Sequence, residues 1–345
     1  VPLPRNGDEL AQILVERWRW FLYRVRFHPW TTHVVPQVTA TFSEYVQLMR
    51  LDRPIGIWLL LWPTLWALWL AGRGRPDERI FTIFVVGVVL MRSAGCVIND
   101  YADRGFDPHV ARTRERPLAA GRVAPTEALG LFAVLALASL ALALQLNKLT
   151  LLYAVAGGFL AITYPFIKRF LSVPQLYLGL SFGWGIPMAF AAQLEHVPRV
   201  GWLLFVANIL WVTVYDTIYA MVDREDDLRI GVRSTAILFG DSDRHIIALL
   251  QVMTLVALAL VGRTTRLGGW YWLGLAAGAL FFAHHLWLIR SRDRAACFRA
   301  FQGNHYFGMA VFFGILLNYI FKGPPPKRRP PVLRSRQPGT GLPVD

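Results

Sequence analysis

Residues 80–107 read IFTIFVVGVVLMRSAGCVINDYADRGFD, and this stretch decides the architecture. An apolar run long enough to cross a bilayer leads into the spacing Asn99-x-x-x-Asp103-x-x-x-Asp107. The arrangement returns further along, where an apolar run leads into YAMVDREDD and the spacing Tyr219-x-x-x-Asp223-x-x-x-Asp227. Residues four apart on a helix are surface neighbours, so each trio is predicted to line one helical face. Carboxylates gathered at a membrane edge repel one another and resist desolvation. A divalent metal carrying an anionic substrate would compensate them, which points to chemistry on a diphosphate at a membrane surface.

Working outward, the chain has 345 residues, of which 55% are hydrophobic and 13% aromatic. Apolar runs of about 20 residues follow one another, the length a spanning helix needs. The spans are read at 55–71, 80–98, 128–146, 149–167, 171–194, 200–222, 246–261, 267–289 and 306–321. This predicts an all-α polytopic membrane protein of about nine transmembrane helices. Asp103 and Asp223 lie 120 residues apart, about four spans, which suggests two four-helix pseudo-repeats facing each other across a central cavity. The membrane domain is expected over 42–321. Residues 1–41 form an N-terminal extension whose WRWFLYRVRFHPW (18–30) suits an amphipathic helix on anionic lipid. Residues 322–345 are rich in Pro and Arg and read as a disordered tail.

Charge sets the orientation. The loops after the second, fourth, sixth and eighth spans are the basic ones, with Arg104, Arg112, Arg114, Arg116 and Arg122 in the first of them. With a cytoplasmic N-terminus this is the positive-inside pattern, and it places both acidic motifs on the cytoplasmic side. The basic tail breaks the pattern, since nine spans put it outside. The net charge of +14 is then explained by loops facing anionic headgroups, and no soluble domain remains to bind nucleic acid. Cys96 and Cys297 have neither disulfide nor metal-site spacing and read as packing residues.

The chemistry follows from the side chains. Mg²⁺ prefers oxygen ligands and is usually held by one or two carboxylates plus substrate phosphates. Two opposed trios suit a metal cluster bridging a diphosphate, with Asp103, Asp107, Asp223 and Asp227 as ligands, Asn99 as a neutral oxygen donor and Tyr219 as a hydrogen-bonding group. Asp100, Glu225 and Asp226 face away from the stripes and are expected to be solvated or salt-bridged. Asp216, deeper on the Asp223 face, is either functional or half of a structural ion pair. Arg92 lies inside a span on the Asn99 face, and Lys168 and Arg169 follow the fourth span one turn after Tyr164. These three bases, with Arg116, are the candidates for diphosphate contact. Arg50, before the first span, is a binding residue or a snorkelling interfacial one. The stripe of Trp58, Trp62 and Trp66 reads as packing before it reads as a wall for a cation. His284 and His285 lack acidic company and do not suggest a metal site.

The same residues carry a resemblance. LMRLDRPIGIWLLLWPTLWALW (48–69), AGCVINDYADRGFDPHVARTRERPLAAG (94–121), YPFIKR (164–169) and YDTIYAMVDREDDLRIGVRSTAILFG (215–240) resemble the UbiA superfamily of intramembrane aromatic prenyltransferases. Within it, the flanking text is most similar to the hydroxybenzoate branch of ubiquinone biosynthesis. The resemblance implies Mg²⁺ and diphosphate at Asn99, Asp103, Asp107, Asp223 and Asp227, with Lys168, Arg169 and Arg92 as basic partners. It implies transfer of a polyprenyl chain from a polyprenyl diphosphate to the ring carbon ortho to the hydroxyl of 4-hydroxybenzoate. Arg50 or Arg92 would meet the acceptor's carboxylate, with Tyr164 and Tyr219 in the acceptor region, and the isoprenoid would lie in a groove open to membrane lipid. It also implies a multi-pass protein of the bacterial cytoplasmic membrane. The alternatives are the same chemistry on a naphthoate, homogentisate or haem acceptor, and, in a different class, a divalent-cation transporter. The transporter predicts acidic groups at mid-bilayer depth, whereas these cluster at one face. The oligomeric state is not legible in the sequence.

Overall fold

A computed structural model describes residues 15–19, 35–110, 112–167, 170–231 and 233–323. The amphipathic stretch expected at 18–30 falls largely outside these residues, and the tail from 324 onward wholly so. Among the described residues every regular element is helical. The helices are α1 (Val35–Leu48), α2 (Ile55–Ala71), α3 (Glu78–Asp103), α4 (Pro125–Ala143), α5 (Lys148–Ile167), α6 (Pro174–Gly183), α7 (Gly185–Leu194), α8 (Arg199–Ile230), α9 (Thr235–Phe239), α10 (Asp243–Thr265), α11 (Gly269–Leu288) and α12 (Arg294–Lys322).

Seven of these are long and apolar enough to cross a membrane, and α2 is a shorter apolar helix of 17 residues. The span expected at 171–194 is two ten-residue helices, α6 and α7, that meet at Trp184. Pro187 has no N–H to offer the carbonyl of Gly183, so the α-helical ladder fails at this joint. The Trp184 indole donates to the Tyr153 carbonyl at 2.7 Å and ties the break to α5. Counting the broken pair as one crossing gives the expected order of spans.

α2 is the hub, packing against α7, α12 and α3. Trp66 is 1% exposed, stacks on Trp211 of α8 at 5.3 Å, and donates through Nε1 to the Gly308 carbonyl of α12 at 2.9 Å. Trp62 is also buried and stacks on Trp58, so the tryptophan stripe is a packing seam. Gly308 is required there, because a Cβ would stand 2.7 Å from both Trp211 Cη2 and Trp62 Cδ1. α4 and α5 bury little of their surface in the protein and present leucine, valine and phenylalanine outward, as lipid-facing helices do.

Three helices are longer than a span needs: α12, at 29 residues, and the two that carry acidic residues at their ends, α3 and α8. At 26 and 32 residues α3 and α8 outrun a span of about 20. The surplus is the polar C-terminal end of each, with Asn99 and Asp103 on α3 and Tyr219, Asp223 and Asp227 on α8.

Candidate active site

The first acidic motif does not keep the expected geometry. α3 stops at Asp103, and Asp107 sits in a 3₁₀ turn, Asp107–His109, beyond the helix end. Pro108 explains this, since the residue before a proline is driven out of the helical region and Gly105 has already loosened the chain. Asn99 and Asp103 therefore share a helical face, and Asp107 reaches the site from a turn. The second motif is as expected, with Tyr219, Asp223 and Asp227 on continuous α8.

The loop from Arg104 to Ala124 folds back over both motifs. Arg116 donates through Nη1 to Asp107 Oδ2 and Asp100 Oδ1, each at 2.9 Å. Arg112 crosses to α8 and grips Asp223, Nε to Oδ1 at 3.0 Å and Nη2 to Oδ2 at 2.6 Å. Its guanidinium also lies 4.8 Å over the Tyr219 ring. These contacts put the two motifs at the same end of the bundle, as the charge pattern required.

Asp100 departs from the expectation of a solvated residue. It is 2% exposed, and Arg50 Nη2 donates to both its oxygens, at 3.0 and 2.7 Å. Arg50, with φ of 57°, is held by this pair and by the Gln47 carbonyl at 2.8 Å. Its binding role thus competes with a structural one. The buried Asp100 and the Arg112 bridge are what sequence reasoning missed; the density of arginines at 112–122 was the available signal.

Burial pushes the Asp107 carboxyl above its ordinary value, with Arg116 acting against the rise and Asp100 and Asp103 adding to it. Burial pulls Arg112 down, but Tyr219 and the Asp223 carboxylate outweigh it, so its net shift is upward. Both arginines remain charged.

Behind this mouth lies a cavity of about 990 Å³. Arg50, Asn99, Arg112, Arg116 and Tyr219 give it a polar end, and Arg92, Tyr164, Tyr215 and Asp216 also line it. Apolar residues of α3, α4, α5 and α6 form the rest of the wall, including Phe84, Leu140, Val155 and Phe182. Arg92 spans this wall, with Nη1 against Cys96 Sγ and its guanidinium 5.9 Å from the Phe182 ring centroid. Asp103, Asp107, Asp223 and Asp227 are not among the lining residues; Asp107 and Asp223 are joined to the lining through Arg116 and Arg112. Lys168 and Arg169 lie outside the described residues.

A second ion-pair cluster braces the end of α8. Asp243 is fully buried and accepts from Arg224 and Arg292, while Arg294 holds Glu225 at 2.8 Å and Asp226 at 3.3 Å. Glu225 and Asp226 are thus salt-bridged, to an arginine that also lines the cavity.

The oxygen donors of the two motifs are of the hard type that Mg²⁺ takes. Among the described residues no three acidic, histidine or cysteine side chains converge tightly enough to hold a metal by themselves. The donor set fits an ion shared between a few carboxylates and a substrate's phosphates, which is how Mg²⁺ is usually bound beside a phosphate.

Comparison with known proteins agrees with this picture. Residues 60–314 match the model of the UbiA prenyltransferase family. A protein of Methylococcus capsulatus named 4-hydroxybenzoate octaprenyltransferase is 57% identical over 291 residues, 84% of this chain and 100% of that protein. Its namesake in Nitrosococcus oceani is 59% identical over 276 residues, 80% of this chain and 97% of that one. Among solved structures, the apo form of a UbiA homolog from Aeropyrum pernix superposes with a TM-score of 0.68 at 25% identity, covering 76% of this chain and 97% of that one. A UbiA homolog from Archaeoglobus fulgidus, bound to GPP and Mg²⁺, shares the fold at a TM-score of 0.60 and 16% identity, covering 79% and 99%.

Proposed function

The chain belongs to the UbiA prenyltransferase family, and from that premise we propose that it transfers a polyprenyl chain from its diphosphate to 4-hydroxybenzoate. The observation that carries the reading is the pair of arginine bridges, Arg112 to Asp223 and Arg116 to Asp107, drawn over one end of a long apolar cavity. Such a cavity accepts an isoprenoid, and its charged mouth accepts a diphosphate. The relatives named as octaprenyltransferases make an eight-isoprene donor the first to test.

In this reading Asn99, Asp103, Asp107, Asp223 and Asp227 hold Mg²⁺ together with the substrate phosphates. When bound, the metal supplies neutralisation of the charge that builds on the departing diphosphate. Arg116 and Arg112 lie close enough to Asp107 and Asp223 to exchange them for phosphate oxygens, and Lys168 and Arg169 would add positive charge toward the diphosphate. The C–O bond between the prenyl C1 and the diphosphate breaks, and diphosphate leaves. The ring carbon ortho to the acceptor's hydroxyl forms the new C–C bond to C1, and loss of its proton restores aromaticity. Arg50 is engaged by Asp100, so Arg92 is the better cation for the acceptor's carboxylate, with Tyr164 and Tyr219 flanking the ring. The site faces the cytoplasm of a bacterial inner membrane, from which the acidic substrates arrive.

The test is turnover by the purified full chain with octaprenyl diphosphate, Mg²⁺ and a panel of acceptors. Prenylated 4-hydroxybenzoate is expected, with none formed after chelation by EDTA. Product only with a naphthoate, homogentisate or haem would keep the chemistry and overturn the acceptor.

A further inference from the structure

The cavity wall contains a hydroxyl that the fold itself does not use. Tyr215 is 1% exposed and lines the cavity, yet its hydroxyl has no hydrogen-bond partner among the described residues. Buried polar groups are nearly always paired, so an unpaired one on a cavity wall marks a place where a ligand would supply the partner.

The ring of Tyr215 is fixed by packing alone. It meets the edge of Trp211 at a centroid distance of 5.4 Å and an interplanar angle of 83°, and it packs on Phe301 at 6.2 Å. Trp211 is itself anchored, its Nε1 donating to Asn304 Oδ1 at 3.1 Å. The hydroxyl is therefore aimed by rigid neighbours rather than by a bond of its own. Arg92, on the same wall, also has a buried and unpaired Nε. The charged groups that act on Tyr215 are Asp216 and Arg92.

Depth assigns the ligand's end. Tyr215 precedes Asp223 by eight residues and Arg92 precedes Asp103 by eleven, so at about 1.5 Å per residue they lie roughly 12 and 17 Å below those carboxylates. The reacting ring carbon must sit near the diphosphate, beside the acceptor's hydroxyl. The carboxylate, at the opposite end of the ring, points down toward these two donors. We infer that Tyr215 donates a hydrogen bond to the carboxylate of the aromatic acceptor, beside Arg92, and so helps select an acid over a neutral phenol. This rests on the proposed reading of the chain as a hydroxybenzoate prenyltransferase.

The test is Tyr215→Phe, which keeps the ring and removes only the hydroxyl. Calorimetric titration of 4-hydroxybenzoate into the full chain in detergent, with Mg²⁺ and inorganic diphosphate present, should show affinity reduced about 10- to 100-fold, the weight of a hydrogen bond to a charged group. Affinity for inorganic diphosphate should be unchanged, and the thermal midpoint should not fall, because the hydroxyl satisfies nothing in the fold. Unchanged affinity for the acid overturns the inference. So does a parallel loss of acid and diphosphate binding with a lowered midpoint, which would make the hydroxyl structural, and so does a wild-type protein that does not bind the acid. A wild-type protein that binds the acid with this hydroxyl dependence but forms no prenylated product sinks the proposed activity and leaves the inference standing.

Discussion

Arg112 and Asp223 form a two-point ion pair across 111 residues of chain, Nε to Oδ1 at 3.0 Å and Nη2 to Oδ2 at 2.6 Å. The pair joins the loop after α3 to the end of α8. The second acidic motif is thus held by a cation from the loop that follows the first. Arg116, in the same loop, holds Asp107 and Asp100 on the first-motif side. Both arginines stand where a divalent ion and its phosphates would otherwise balance the carboxylates.

This makes Arg112 a competitor of the metal in the substrate-free protein. Arg112→Ala should bind Mg²⁺ more tightly without diphosphate, by about 10-fold, since solvent around this part-exposed arginine screens the few kcal/mol of a unit charge at this range down to about 1.4 kcal/mol. The same variant should lose turnover by about 100-fold, having lost a contact for the leaving diphosphate. Arg112→Lys should recover only part, because an ammonium cannot match both oxygens at once. Calorimetry with Mg²⁺ alone, set beside steady-state rates, reads both signs; weaker Mg²⁺ binding in the alanine variant would count against the competition.

Asp100 is expected to matter for stability more than for metal binding. It is 2% exposed and serves two guanidiniums that are 21% and 16% exposed. Asp100→Asn should cost about 3 kcal/mol, the lower end for breaking a buried ion pair, because both arginines reach some solvent. The loss should be smaller in an Arg50→Met background, where one of the stranded cations is gone. Thermal denaturation of the four proteins of this double-mutant cycle in detergent measures the coupling; simple additivity would show that the pair is not a unit.

Much of this was legible in the sequence. Hydropathy placed α2 at its observed ends, 55–71, and the charge pattern brought both motifs to one side, where the Arg112–Asp223 contact confirms it. What escaped was set by events between elements. The four-residue spacing of Asp103 and Asp107 looked helical, but Gly105 and Pro108 end the helix between them, and local chain chemistry overrode periodicity. Asp100 lay off the predicted stripe and so read as a surface group. It is buried because a loop from residues 104–124 and the joint before α2 close over it, contacts that spacing along one helix does not encode. The break at Trp184 was hidden because each half is as apolar as a continuous span.

Acid should weaken metal binding earlier than an ordinary aspartate would. Burial raises the Asp107 pKa above its usual value near 4, and Arg116 is the group that restrains the rise. The sign is that of a raised carboxyl: the fold favours its protonated form, so Asp107 adds no acid lability to folding. Its capacity to take a cation is lost as pH falls through the raised value. Arg116→Met should move that loss to still higher pH. Mg²⁺ affinity measured against pH in both proteins tests this, and an acid limb that stays put or moves lower in the variant would refute it.

Gly308 shows how tightly the hub supports the site. Its missing side chain admits Trp62 and Trp211, and Trp211 in turn packs on Tyr215. Gly308→Ala gains up to about 1 kcal/mol of helix propensity, but its Cβ would stand 2.7 Å from two indole rings that cannot swing aside. Overpacking of that kind costs about 1–3 kcal/mol, so the clash should win and the thermal midpoint should fall. Gly130→Ala, on α4 with nothing within 4 Å of the added Cβ, should have the opposite sign. A second consequence separates the hub from generic packing. Because the Gly308 contact runs through Trp211 to the Tyr215 ring, Gly308→Ala should also weaken 4-hydroxybenzoate binding, while Gly130→Ala leaves it unchanged. Paired midpoints and acceptor affinities for the two variants decide the matter, and a stabilised Gly308→Ala would show that the tryptophans have more room than their contacts indicate.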